Sequence, residues 1–179
     1  SALFSNTTAS YNVAVGRNAL YNNTTGAQNI AIGRNALAAN TTAPYNTAVG
    51  YVALTANTTG QYNVALGSHS LDACTTGTEN VAAGHASLGS VTDSTANTAV
   101  GHNSGAAITT GDSNTFFGHQ AGDATSTASN NTGVGKDALG ANTTGASNVA
   151  VGTDAGAAVT TGGLNTIVGK DAGRLLTTA

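Results

Sequence analysis

The chain is poor in the residues that ordinary domains use to build a core. It has no Trp and no Met, and aromatic residues make up only 4% of it. Charged residues contribute 7%, against about 25% in an average soluble domain. The formal net charge of -3 supplies neither a basic nucleic-acid footprint nor a strongly acidic tail. The single cysteine, Cys74, excludes an intrachain disulfide, and no zinc-type Cys/His spacing exists. No apolar run is long enough for a membrane-spanning helix. No basic stretch followed by an apolar one opens the chain, so no signal peptide is read there.

What remains is Gly, Ala, Asn and Thr in a chain that is 40% hydrophobic. That hydrophobic share argues against disorder. A fold made from such small residues must bring backbones close together.

The residues are strictly periodic. Asn-x-x-x-Gly begins at Asn12, Asn29, Asn46, Asn63, Asn80, Asn97, Asn114, Asn131, Asn148 and Asn165. Its glycines are Gly16, Gly33, Gly50, Gly67, Gly84, Gly101, Gly118, Gly135, Gly152 and Gly169. Every step is 17 residues, with no insertion. Solvent-facing loops tolerate length changes, so a fixed period implies units that stack and share backbone hydrogen bonds. Helical repeats need about 33 residues or more, and Val, Thr, Asn and Gly disfavour helix. The expected fold is therefore all-β, a parallel β-solenoid (β-roll) of ten 17-residue coils. Two strands per coil are expected, Asn-Val-Ala-Val-Gly as at residues 12–16 and Ala-Leu-x-x-Asn-Thr-Thr as at 36–42. The stretch 1–179 is read as one solenoid segment of a longer fibre.

Stacking turns repeat positions into columns. The residue before each motif glycine is apolar (Val15, Ile32, Val49, Leu66 and so on), and the one before that is mostly Ala. Neighbouring strand residues face opposite ways, so the strand is apolar on both faces. One face can fill the coil. The other, expected to be the Ala stripe of Ala48 and Ala65, then requires a second chain. Leu20, Leu37, Leu54 and Leu139 are each followed three residues later by Asn23, Asn40, Asn57 and Asn142, whereas Gly105, Gly156 and Gly173 are followed by Ile108, Val159 and Leu176. One large apolar group per coil thus fills one interior site from either position. Gly122 with Thr125 departs from this rule, in the unit that carries Phe116 and Phe117. Cys74 reads as a small buried hydrophobe. The invariant Asn is expected to form a ladder of stacked amides or to bond its own backbone at a turn.

Asn-x-Ala-x-Gly-x-x-[Ala/Ser], seen at Asn12 to Ala19, Asn46 to Ala53 and Asn63 to Ser70, resembles the head repeats of YadA-like trimeric autotransporter adhesins. The longer unit with Asn-Thr-Thr-Gly, at Asn23 to Gly26 and Asn57 to Gly60, resembles repeats of phage and large-virus tail-fibre proteins. The resemblance covers essentially the whole chain. It implies a left-handed β-roll with three parallel chains per fibre, exposed on a virion or cell surface. Repeats in the adhesin heads are shorter than these.

Several columns are candidate sites. His85, His102 and His119 stack in three consecutive coils and are the candidate metal ligands, but Arg17, Arg34, Tyr51, Ser68, Lys136, Thr153 and Lys170 share their column, which favours a solvated position. Asp137, Asp154 and Asp171 form a carboxylate ladder of the kind a glycoside hydrolase needs, with Lys136 and Lys170 directly before two of them. Tyr11, Tyr45 and Tyr62 are candidate glycan contacts. Paired threonines such as Thr24-Thr25 and Thr58-Thr59 raise ice binding, although adjacent residues point oppositely and leave one outward Thr per coil. The sequons at Asn6, Asn23, Asn40, Asn57 and Asn142 arise from the repeat itself.

The sequence is therefore read as a structural or adhesive shaft segment of a trimeric extracellular fibre, with ice binding and a carbohydrate-active tailspike as alternatives. No catalysis, cofactor or nucleic-acid partner is expected. Any host glycan or receptor would be met through regions outside this chain.

Overall fold

The computed structural model describes residues 1–178. The chain winds through ten short strands: β1 (Val13–Val15), β2 (Ile30–Ile32), β3 (Thr47–Val49), β4 (Val64–Leu66), β5 (Val81–Ala83), β6 (Thr98–Val100), β7 (Thr115–Phe117), β8 (Thr132–Val134), β9 (Val149–Val151) and β10 (Thr166–Val168). They form one parallel sheet in sequence order. Each pairs with the next in a constant register, Val13 with Ile30, Ile30 with Thr47, Thr47 with Val64. The fold is a parallel β-solenoid with one strand per coil. At about 4.8 Å per coil, the ten strands make a rod of roughly 48 Å.

The second expected strand is absent. Asn35 and Leu37 have φ values of 58° and 53°, left-handed values that no extended strand contains. The segment turns instead, with the Ala36 N–H donating to Gly33 O and the Asn40 N–H to Leu37 O, both at 3.3 Å. It still stacks on its neighbour, since the Leu37 N–H donates to Ala53 O at 3.0 Å and the Ala39 N–H to Thr55 O at 3.0 Å. Inter-coil hydrogen bonds therefore run along the axis at the corners as well as in the sheet.

The motif glycines sit at φ between +122° and +145°. From Gly16 to Gly152, an added Cβ would strike the same glycine of the next coil, as close as 2.3 Å to Gly50 O in the case of Gly33. This column needs glycine both for its backbone angle and for the approach of one coil to the next.

The interior contains the Leu column, its alternates Ile108 and Val159, Cys74, and the middle strand residues Ala31, Ala48, Ala65, Ala82, Ala99 and Ala150, all fully buried. This reverses the expected orientation of the strand. Ala faces in, and the bulkier Val, Ile, Leu and Phe before the motif glycine face out. The reason is steric. The coil already encloses a Leu and two Asn columns, which leaves room for little more than a methyl group at mid-strand. Gly105, at φ +59°, shows how the alternate filling works. A Cβ there would lie 3.0 Å from Leu88 Cδ2 and 3.1 Å from Ile108 Cδ1, so Ile108 occupies the site that Leu fills elsewhere.

Candidate functional site: the outward sheet face and its flanking columns

Two Asn ladders tie successive coils together behind the outward face. In the motif column, each Asn side-chain oxygen accepts the backbone N–H of the next Asn, from Asn29 onto Asn12 at 2.8 Å to Asn165 onto Asn148 at 3.0 Å, with all the steps between present. The side-chain amide of Asn12 donates to Gly26 O at 2.8 Å, and that of Asn29 to Ala43 O at 2.9 Å. Asn12, Asn29, Asn46, Asn63, Asn80, Asn97, Asn114 and Asn148 thus each bond the following coil twice. A second ladder, not foreseen, joins Asn23 to Asn6, Asn40 to Asn23 and Asn57 to Asn40 through Nδ2–H···Oδ1 bonds of 3.1, 2.8 and 3.2 Å. It stops where Cys74 stands in the column, and Asn57 Oδ1 is left buried without a partner. Of the five sequon asparagines, Asn23, Asn40, Asn57 and Asn142 are fully buried, so their amides are out of reach of glycosylation in the folded coil, whereas Asn6 is exposed.

On the outside, residues i and i+2 of each strand leave the same face. One column runs Val13, Ile30, Thr47, Val64, Val81, Thr98, Thr115, Thr132, Val149, Thr166. The other runs Val15, Ile32, Val49, Leu66, Ala83, Val100, Phe117, Val134, Val151, Val168. Every member is exposed or half-buried. Val15 is 57% exposed and Phe117 56%, unusual values for residues that ordinarily seek burial. The face measures roughly 48 Å by about 10 Å at standard strand spacings, on the order of the largest apolar patches of monomeric proteins.

Two polar columns border this face. After the motif glycine come Arg17, Arg34, Tyr51, Ser68, His85, His102, His119, Lys136, Thr153 and Lys170. The imidazoles of His85, His102 and His119 are exposed and stack with ring centroids 5.3 Å apart at 12°. His69, from the adjacent column, extends the run by edge contacts of 5.9 Å to His85 and 5.4 Å to Tyr51. The Arg34 guanidinium lies 5.7 Å from the Tyr51 ring centre. Among the described residues, no group of three or more His, Cys, Asp or Glu is placed to hold a metal ion. On the opposite border lie Tyr11, Tyr45 and Tyr62. Tyr45 and Tyr62 stack at 5.1 Å and 4°, while Tyr11 stands apart, with Gln28 in the intervening coil.

The three aspartates occupy half-buried corner positions. Asp137 is paired with Lys136, and Asp171 with Lys170 at 3.4 Å and Arg174 at 3.5 Å. Asp123 nearby is shifted upward, first by burial and then by the charge of Asp137. Among the described residues no pocket-sized cleft accompanies them.

Of each threonine pair, the first side chain is spent on the coil stack, as where Thr24 Oγ1 donates to Thr41 O at 3.0 Å and Thr75 Oγ1 to Thr92 O at 3.0 Å. The second (Thr25, Thr42, Thr59) is exposed. No family model, curated protein or solved structure matches the chain. Among the described residues no helix is long and apolar enough to cross a membrane.

Proposed function

We propose that the chain is a shaft segment of an extracellular fibre, assembled from parallel copies of itself that bury the outward sheet faces against one another. The carrying observation is the two-column face, apolar or β-branched in every coil from Val13 to Val168 and exposed or half-buried in the single chain. With its borders, each face offers on the order of 800 Å², the amount one partner buries in a standard stable interface. The resemblance to trimeric adhesin and tail-fibre repeats supports three chains per fibre on a virion or cell surface. A uniform stack with hydrogen bonds at every corner suits a passive spacer, and the reading assigns it no catalysis. Sedimentation of the purified chain tests the assembly. Incubation with surface polysaccharide, followed by viscosity, tests the absence of catalysis.

A second reading has one observation in its favour. Thr47-x-Val49, Thr98-x-Val100, Thr132-x-Val134 and Thr166-x-Val168 present Thr and Val side by side on one parallel sheet, a regular surface of the kind that orders water into ice. Leu66 and Phe117 protrude from the same face, and a thermal-hysteresis measurement separates the two readings.

A further inference from the structure

The borders of the outward face carry information about how copies meet. The column after the motif glycine holds Arg17, Arg34, Lys136 and Lys170, which are four of the chain's five Lys and Arg residues, together with three of its four His. The column before the motif Asn holds a single charged residue, Glu79. Among the described residues, neither Glu79 nor His85 has an ion-pair partner in its own chain, and both side chains are exposed.

Consider two copies with their faces together. If one is turned end for end about an axis along the strands, each border column meets its own copy. Cationic and imidazole side chains then confront each other along the rod, with Arg17 level with Lys170 and His85 level with His102. Like charges in register disfavour that arrangement. If the copies run in the same direction about an axis along the rod, the two different borders meet, and residues of the same coil lie level. Tyr11 then faces Arg17, Tyr45 faces Tyr51, Glu79 faces His85 and Asn130 faces Lys136. No level brings two like charges together. An arginine beside a tyrosine is favourable, and the one acid of its column lies opposite an imidazole. This holds for any closed ring of parallel copies, whether two or three.

We infer that neighbouring chains meet border to border in parallel, coil level with coil, with Glu79 of one chain against His85 of the next. The inference rests on the self-association proposed above. It goes further by fixing register and the contacting residues, and by giving a reason for the parallel direction.

Cysteine pairing tests it. In a Cys74→Ala background, the double variant Glu79→Cys/His85→Cys is oxidised and its mass is measured under denaturing conditions. Within one chain the two positions are separated by about 15–20 Å of mostly extended backbone, too far for a disulfide, which needs Cα atoms within about 7 Å. The expected result is covalent closure to the full oligomer in the double variant, with no ladder from either single variant. An oligomer that gives no cross-link at this pair, or one in which His85→Cys or His102→Cys alone cross-links as readily, overturns the inference while leaving self-association standing. A monomer in native mass measurement removes the underlying reading, and this one with it. As a second measure, Glu79→Lys should weaken assembly several-fold, and Glu79→Lys/His85→Glu should recover it. A double variant no better than the single contradicts a cross-chain pair.

Discussion

The ring of Phe116 occupies the space where a side chain on Gly122 would begin, and a Cβ on Gly133 of the next coil would stand 2.9 Å from Phe116 Cδ1. This coil departs from the Leu/Asn pattern because its bulk enters from the strand, where most other coils carry Ala. Two glycines clear the path. Phe116 is fully buried, so Phe116→Ala should cost about 3–5 kcal/mol, measured by thermal or denaturant unfolding. Phe116→Ala/Gly122→Leu rebuilds the common filling and should recover part of that loss. Gly122→Leu alone should be destabilising.

The same logic applies at coils with the common filling. Leu37→Gly should cost about 2–5 kcal/mol through the cavity it leaves. Leu37→Gly/Asn40→Ile imitates Gly105 and Ile108 and should be more stable than the single variant. It should stay below the parent, because Asn40 donates to Asn23 Oδ1 at 2.8 Å and to Ala43 O at 3.0 Å. Equal stability of single and double variants would show that the two columns do not share a site.

Cys74 marks the break in the second Asn ladder. Cys74→Asn places an amide next to the orphaned Asn57 Oδ1, as Asn57 does for Asn40, and should stabilise by about 1–2 kcal/mol. Burial pushes the Cys74 thiol up to about 11 from 9.0, a backbone hydrogen bond with Gly77 opposes this, and Asp93 adds to it. A raised folded value means that the unfolded chain loses its proton first. The contribution is therefore complete below pH 9 and is lost as pH rises toward 11. Unfolding curves across that window should show a loss of stability in the parent that is smaller in Cys74→Asn.

Gly67→Ala should cost at least about 1–3 kcal/mol from overpacking, since its Cβ would meet Gly84 O at 2.5 Å. Gly169→Ala is the control. Its Cβ would meet only Ala172 Cβ, at 3.7 Å, so backbone strain alone remains. Similar losses at both positions would contradict inter-coil approach as the reason for the glycine column.

The period, the parallel stack and the interior Leu/Ile exchange could be read from spacing, because each is a statement about which residues recur. Two features could not. Alternation along Val13, Ala14 and Val15 defines two faces without saying which is inside, and that choice depends on how much room the coil leaves after its Leu and Asn are placed. The bend at Asn35 and Leu37 depends on left-handed backbone, whose sign in the sequence is scattered: Asn18, Asn35, Asn103, Asp137, Asp154 and Asp171 at the first position, residue types that adopt it more readily than most, and Gly105, Gly122, Gly156 and Gly173 at the Leu position, while Leu37 and its equivalents give none. The pairing of Phe116 with Gly122 and Gly133 was the available sign that mid-strand points inward. At the candidate sites, the His and Tyr columns were legible as columns. Their place on the two borders of one exposed face became visible only once Val15 and its equivalents were known to point out.

Native mass measurement at micromolar concentration tests the central claim most directly, made on the parent chain and on Val49→Glu. The parent chain is expected to form a closed oligomer, three chains by its resemblance, and Val49→Glu a folded solenoid with lost assembly, because an unpaired charge enters the contact. Ala48→Glu should instead disrupt the coil itself, since Ala48 is fully buried inside it. A parent chain that is a stable, compact monomer would contradict the account.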